Sequence, residues 1–535
     1  MKRTEQLQKL QSGLEENYDV IIIGGGATGL GTALDSVTRG YKTLLLEKSD
    51  FASGTSSRST KLVHGGVRYL AQMDLLLVAE ALRERGLMLR NAPHLTSDQE
   101  FVIPVYSWFD VFLYTTGLKF YDILSGKLSL GKSYFIGRKK VIERLPNIKP
   151  DGLKGGIVYH DGQFDDARMA ISLAKTIADR GGTLLNYFEV RGLVMNEEGK
   201  IKGVKAVDRL SGNEYELLAG LVINSTGVFA DDILKMEKPD ARHIIKPSQG
   251  VHLVLDNSFL RGESALMIPK TDDGRVLFAI PWHGKTVVGT TDTPLEMVSE
   301  EPVALDEEID FILRNAGKYL VEAPERKDIL SVFAGLRPLA SDPDNPHATK
   351  EISRRHKIIF SESGLLTITG GKWTTYRCMA EETIDEAIKA GALEKRKCIT
   401  KSLSIDSAPG QSVSGSFKIY GKGAIEIEKI MAGNPETARK ISDNLPYTKA
   451  EIIWICRNEI PVTLDDMLAR RTRSLILDAR AAEECAPAVA EIMAAELGYG
   501  MEWVEKEVEK FRRLAKNYLP LPASPNGEEM SLYTN

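Results

Sequence analysis

The stretch YDVIIIGGGATG, residues 18 to 29, constrains this chain more than any other part of it. A short apolar run from Tyr18 to Ile23 leads directly into Gly24-Gly25-Gly26-Ala27-Thr28-Gly29, after which Leu30, Ala33, Leu34 and Val37 recur at helical spacing. Strand, tight turn and helix follow in that order. In a GxGxxG turn the first glycine permits the turn, the second lets a pyrophosphate approach the backbone, and the third lets helix and strand pack closely. The helix N-terminus then stabilises the anion. Arg39 and Gly40 supply a basic last turn and a stop, and YKTLLLEK reads as a second buried strand ending at Glu47. The result is a βαβ unit built to hold a dinucleotide.

Glu47 stands 18 residues after Gly29, close to the offset of about 20 at which an acidic residue hydrogen-bonds a ribose hydroxyl. A carboxylate there repels a 2′-phosphate, which leaves FAD or NAD. The fingerprint does not choose between them. The next segment, SDFASGTSSRSTKLVHGGVRYL, is crowded with small donors, and a second glycine turn, Gly370-Gly-Lys-Trp-Thr-Thr375, lies far along the chain. A nicotinamide domain does not need these additions, so FAD is the expected cofactor.

A chain of 535 residues exceeds what one core serves, and two or three domains are expected. Amphipathic helices are predicted from Ala71 to Arg90 and from Asp165 to Arg180, with a small meander between Leu184 and Thr226 that ends in the buried strand LVINSTG. Segments 101–155 and 241–334 are richer in Pro and aromatic residues and contain the hairpin signal RVLFAIPW-HGK-TVVGTTD. They are assigned to a substrate-binding sheet. The dinucleotide-binding domain is then discontinuous, with parts at 17–100, 156–240 and 335–385. Residues 386–535 read as a separate, mainly helical C-terminal domain.

The net charge of −5, from 69 basic and 74 acidic residues, offers no global attraction for nucleic acid. Four cysteines without a CxxC pair suggest neither a disulfide framework nor a metal site, and a cytoplasmic setting fits them. The start, MKRTEQLQKLQSGLEEN, lacks the apolar run of a secretory signal, and no uncharged stretch reaches the roughly 18–20 residues of a spanning helix. Peripheral attachment to the inner face of a cytoplasmic membrane stays open. TTGLKFYDILSGKLSLGK and SYFIGRKKVIERL mix basic and apolar residues in the way that suits an anionic surface.

The segments GGGATGLGTALD, TSSRSTKLVHGGVRYL, APHL, FDDARM, INSTG, IPWHGKTVVGTTDT, FAGLRPL and GGKWTTYR resemble, in order, the FAD-dependent (aerobic-type) glycerol-3-phosphate dehydrogenase family. EIIWICRNEIPVTLDDMLARRTR is similar to that family's C-terminal domain, so nearly the whole chain is covered. The resemblance implies an α/β fold with an FAD-binding, Rossmann-like domain of the glutathione-reductase/D-amino-acid-oxidase type. An antiparallel-sheet substrate domain and a C-terminal helical domain complete it. It further implies oxidation of sn-glycerol 3-phosphate to dihydroxyacetone phosphate, with electrons passed to a membrane quinone.

Cofactor contacts are then expected from Gly24, Gly26, Thr28, Gly29, Glu47 and Lys48, and from Thr55, Ser56, Ser57, Lys61, Leu62, His64, Gly65 and Gly66 in the loop that follows. Val190, Thr226, Gly227, Gly371, Lys372, Thr374 and Thr375 complete the set. By resemblance, Arg68, Arg337, Arg354 and Lys372 are the substrate-binding cations and Tyr69 lines the pocket, with Thr375 nearby. Guanidinium forks and a lysine point charge suit a phosphomonoester. The family pattern has an acidic residue after Ser353-Arg354, where this chain has Arg355. His252, in SQGVHLVL, is the first choice for proton acceptor and His64 the second, while Arg337 sits with them in the catalytic set. Two readings compete: an oxidase of the same fold that reduces dioxygen to peroxide, and a flavin-binding module without turnover. A flavin amine or amino-acid oxidase is a more distant third, and a homodimer is the candidate assembly.

Overall fold

The computed structural model describes the chain except residues 14–16, 68–73, 341–355, 407–414, 416 and 521–535. Tyr18–Ile23 is a central strand because both of its faces are covered. Val20 and Ile22 pack against the helices Ala27–Thr38, Asp166–Asp179 and Tyr376–Lys389, whereas Ile21 and Ile23 pack against a meander through Phe188, Val190 and Val204. This is the continuous apolar run that a doubly covered parallel strand requires. Along the sheet the strands stand in the order Lys357–Phe360, Leu365–Thr369, Glu214–Asn224, Tyr18–Ile23, Thr43–Leu46 and Thr183–Leu185. The last five are parallel, and Lys357–Phe360 is antiparallel to its neighbour. Phe188–Met195 and Ile201–Asp208 form the meander and join the long Glu214–Asn224 strand.

A second sheet of ten strands stands beside it. Next to one edge of it the Ile245–Asp256 strand is paired antiparallel with Lys285–Gly289 on one side and Ile329–Ala340 on the other. The hairpin read from the sequence is present: Leu277–Trp282 pairs with Lys285–Gly289 across His283-Gly284, both at positive φ. Two left-handed residues match the twist of the flanking strands.

Two features differ from the sequence reading. The strands Thr96–Val105, Gly155–Phe164 and Ile329–Ala340 all pair within the second sheet. The seams placed at 100/101, 155/156 and 334/335 therefore fall inside strands, and a hydrogen-bonded ladder does not divide at such a point. Segment 101–155 also contains an 18-residue helix, Trp108–Ser125, capped by Ser107, whose side chain accepts the Asp110 N–H. Its aromatic content read as strand, but its apolar residues recur at helical spacing.

The C-terminal residues form the helical domain expected, and it packs closely on the rest of the chain. Its helices share one apolar core with the second sheet, and Val332 N–H donates to the Tyr518 carbonyl at 2.8 Å. Buried charges fasten them to the first sheet's side. Asp50 accepts from Arg470 at 2.6 Å and from both terminal nitrogens of Arg471 at 2.6 and 2.9 Å. Arg168 is paired bidentately with Glu459 at 2.5 and 2.7 Å.

Candidate active site

One cavity of about 1130 Å³ runs between the two sheets, from the glycine turn to the Ile245–Asp256 strand. It is larger than the roughly 300–1,000 Å³ of an ordinary small-molecule pocket. At its first end the chain leaves Tyr18–Ile23 through Gly24, whose φ is +106°. A Cβ on Gly29 would lie 1.9 Å from the Gly24 carbonyl oxygen, and one on Gly24 would lie 2.7 Å from that of Ser225. Only glycine fits the turn. Gly26 caps the following helix without a side chain, so the helix N-terminus at Gly26, Ala27 and Thr28 faces the cavity with its partial positive charge.

Glu47 also faces the cavity, and its carboxylate accepts from Gly25 N–H at 2.6 Å and Ser49 N–H at 2.9 Å. Burial pushes its pKa upward against these two hydrogen bonds. Each oxygen keeps a second acceptor position for a ribose hydroxyl. A pyrophosphate-sized concavity, a positive helix end and a strand-end carboxylate together fit the AMP half of FAD.

The Ser/Thr-rich loop and the distant GGKWTT turn are stapled together at the middle of the cavity. Trp373 donates its indole N–H to the Ser56 carbonyl at 2.8 Å, and Ser56 Oγ accepts the Ala27 N–H at 2.9 Å. The Thr374 hydroxyl accepts the His64 N–H at 3.2 Å. Lys48, Thr55, Ser56, Leu62, His64 and Gly66 line the cavity, as do Val190, Thr226, Gly227, Gly371, Lys372 and Thr374. Five other residues expected as contacts do not line it. Gly29 is used inside the turn, and Ser57 is buried behind the loop. Lys61 is bound to Asp166 at 2.7 Å with its side chain fully buried. Gly65 donates its N–H to the Tyr121 hydroxyl at 2.8 Å, and Thr375 is buried, its hydroxyl on the Lys372 carbonyl at 3.3 Å. Arg68, Tyr69 and Arg354 lie outside the described residues, as does Arg355.

At the far end Arg337 and His252 meet on neighbouring strands of the second sheet. Among the contacts that hold Arg337 are Gln249 O at 3.2 Å, Asp292 Oδ1 at 3.1 Å, Thr290 Oγ1 at 3.0 Å and Thr291 O at 2.9 Å. Gly250 makes room for it, since a Cβ there would lie 2.3 Å from the guanidinium. His252 stacks on Phe333 with ring centroids 4.9 Å apart, and its Nε2 lies 2.9 Å from Thr60 Oγ1. Burial first, then the charges of Lys61 and Arg337, hold its pKa well below the ordinary imidazole value. It is therefore neutral, the form that accepts a proton.

Several cavity residues were not singled out from the sequence. Thr60, Thr290 and Asp292 lie within the quoted motifs TSSRSTKL and TVVGTTDT, so the signal was present without a stated role. Asp465, Arg470 and Phe511 enter from the C-terminal helices. No local pattern marks those.

Comparison with known proteins agrees with this geometry. Residues 19–377 match the family described as FAD dependent oxidoreductase, and 366–504 match the C-terminal domain of alpha-glycerophosphate oxidase. The mitochondrial glycerol-3-phosphate dehydrogenase of Homo sapiens is 40% identical, over 96% of this chain and 74% of that protein. The one from Schizosaccharomyces pombe is 38% identical, over 94% and 87%. The glycerol-3-phosphate dehydrogenase of Bacillus halodurans, solved with FAD, superposes with a TM-score of 0.78 at 28% identity, covering 97% of this chain and 98% of that one. An L-alpha-glycerophosphate oxidase from Mycoplasma pneumoniae, also with FAD, shares the fold at a TM-score of 0.56 and 17% identity, over 72% of this chain and 98% of that one. The chain uses FAD and belongs to the FAD-dependent glycerol-3-phosphate dehydrogenase family.

Proposed function

We propose that this protein oxidises sn-glycerol 3-phosphate to dihydroxyacetone phosphate and passes the electrons to a quinone at a membrane surface. The observation that carries the reading is the single cavity with a dinucleotide cradle at one end and Arg337 beside His252 at the other. Arg337 and Lys372 grip the phosphoryl group, joined by Arg68 and Arg354 on the strength of the sequence resemblance, with Tyr69 against the substrate. His252 takes the proton of the carbon-2 hydroxyl, with His64 as the second choice. FAD, when bound, supplies the hydride acceptor. Fixing the phosphoryl group at one point and the hydroxyl at another orients the reacting carbon.

The membrane part of the reading rests on the Trp108–Ser125 helix. Only Leu118, Tyr121 and Ser125 of it are buried. Trp108, Phe109, Phe112 and Ile123 are between 65 and 73% exposed, and Tyr134 and Phe135 of the adjoining strand are also exposed. Around them Lys119, Lys127, Lys132, Arg138, Lys139 and Lys140 are exposed. Aromatic residues flanked by cations suit an anionic bilayer surface. No helix among the described residues is long and apolar enough to cross a membrane.

The test is anaerobic addition of glycerol 3-phosphate to the purified yellow protein while the flavin band is followed. Prompt bleaching, with slow reoxidation in air unless a quinone analogue is present, supports the reading. Fast reoxidation with peroxide transfers the protein to the oxidase class, and a flavin that stays oxidised removes the substrate assignment.

A further inference from the structure

The two nitrogens of His252 differ in their surroundings. Nδ1 is buried and makes no hydrogen bond to the described residues. Nε2 is covered by Thr60 Oγ1 at 2.9 Å. The ring as a whole is 2% exposed, its Cδ2 edge filling the space that a Cβ on Gly289 would need. Thr60 is only half-buried and lines the cavity beside Thr290 and Arg337. Both residues line the cavity, but the imidazole is almost fully buried and its Nε2 is already taken up by Thr60 Oγ1, so the threonine is the more accessible of the two to a hydroxyl in the cavity.

Building on His252 as the proton acceptor, we infer that the Thr60 hydroxyl is a catalytic relay carrying the substrate's proton to Nε2. Its position is fixed from both sides in the sequence. Ser59 donates both its N–H and its hydroxyl to Asp166, at 3.0 and 2.7 Å. Lys61 donates to Asp166 and to the Ser57 carbonyl, both at 2.7 Å, and Arg473 makes the same pair of contacts at 2.8 and 2.9 Å. The Lys61 ammonium lies 4.9 Å from the centroid of Phe333, the ring on which His252 stacks. A threonine between two such anchors presents its oxygen with little freedom, which is what proton transfer over a hydrogen bond requires.

The step balances as follows. The carbon-2 O–H bond breaks and its proton bonds to Thr60 Oγ, while the proton that Thr60 carried moves to Nε2. The electron pair of the broken O–H bond becomes the second C–O bond, and the carbon-2 hydride leaves with its own pair to oxidised FAD. The products are the ketone, an imidazolium, an unchanged threonine and reduced flavin. This requires the resting imidazole to carry its proton on Nδ1.

Two measurements on the wild-type holoenzyme and the rates of two Thr60 variants test the relay, with a third variant, His252→Asn, used for assignment. The first is the ¹⁵N NMR of the imidazole ring in the substrate-free holoenzyme, with His252 assigned by its loss in His252→Asn. A proton on Nδ1 is expected, and one on Nε2 overturns the relay without any turnover being measured. The second is the anaerobic flavin-reduction rate in mixtures of H₂O and D₂O. A bowl-shaped dependence is expected for two protons in flight, and a straight line overturns the relay. Thr60→Val should slow flavin reduction about 100-fold or more with KM within a few-fold, and Thr60→Ser should restore most of the rate. Thr60→Val at the wild-type rate also overturns it. If glycerol 3-phosphate fails to bleach the wild-type flavin, the substrate assignment falls first and the relay with it. If the wild type bleaches and any of the three relay results is contrary, the relay falls alone.

Discussion

Arg337 and His252 stand on adjacent strands, and the environment of each follows from the other. The guanidinium is held toward the cavity by hydrogen bonds to Gln249, Thr290, Thr291 and Asp292, so its charge acts on the buried imidazole from a set position. Desolvation, with Lys61 and Arg337 adding to it, disfavours the imidazolium and lowers the pH at which His252 takes up a proton. The base-competent form thus persists as the pH falls. For the wild-type enzyme, the acid limb of kcat/KM is expected below the ordinary imidazole value of about 6.5. A limb at or above that value would assign the base to another group, His64 being the next choice. Glu47 was legible from its spacing to Gly29 because a βαβ unit has a nearly constant length. Thr60 facing His252 was not, since the two are 192 residues apart and only pairing within the folded sheet side brings them together.

The Trp108–Ser125 helix buries so little of itself that its sequence is better explained by a second apolar surface than by the core. Placing three large aromatic residues in the interface returns roughly 1.5–3 kcal/mol each when fully buried, and each nearby lysine or arginine adds about 1 kcal/mol against an anionic leaflet. The triple variant W108S/F109S/F112S is expected to release the protein from vesicles containing phosphatidylserine while leaving glycerol 3-phosphate oxidation in solution unchanged. Sedimentation with such vesicles at low and high salt measures it. Retention of the variant at both salt concentrations would place the attachment elsewhere. At this scale the sequence was only partly legible. Tyr18–Ile23, the glycine turn and the Leu277–Gly289 hairpin are specified by local patterns that permit one structure. Residues 108–125 are rich in aromatic and β-branched types, and their composition favoured a strand until the Ser107 cap and the helical recurrence decided the matter. The strand seams were missed because Thr96–Val105 and Ile329–Ala340 carry no signal for which of two sheets they join.

The whole molecule is held by a charge clamp that the sequence displayed as MLARRTR without revealing its partner. Arg470 and Arg471 converge on Asp50, four residues past the end of the second parallel strand, and Arg470 also lines the cavity with Asp465 and Phe511. The C-terminal helices thus form part of the cavity wall through the same arginine that pairs with Asp50. Burial alone would raise the Asp50 carboxyl, but the two guanidinium groups overcome it and lower its pKa to about 2, below the ordinary 3.8. A carboxylate depressed on folding contributes stability that is present above its unfolded pKa and lost as the pH falls through the folded one, here from about 4 towards 2. The amount is on the order of 2 kcal/mol. Asp50→Asn removes the charge at every pH and leaves two buried cations short of a partner, a loss of about 3–5 kcal/mol for a broken buried pair. In urea the variant should therefore unfold at a lower midpoint and lose the share of acid sensitivity that Asp50 contributes below about pH 4, while the depressed carboxyls of Asp165, Glu381 and Glu459 keep theirs. Because the clamp and the cavity share Arg470, flavin release and the undocking of the C-terminal helices should coincide, followed together by flavin fluorescence and by limited proteolysis. Flavin retained past proteolysis of the C-terminal helices would show that the cradle at Gly24–Gly29 and Glu47 holds the cofactor without them, and that the clamp serves stability alone.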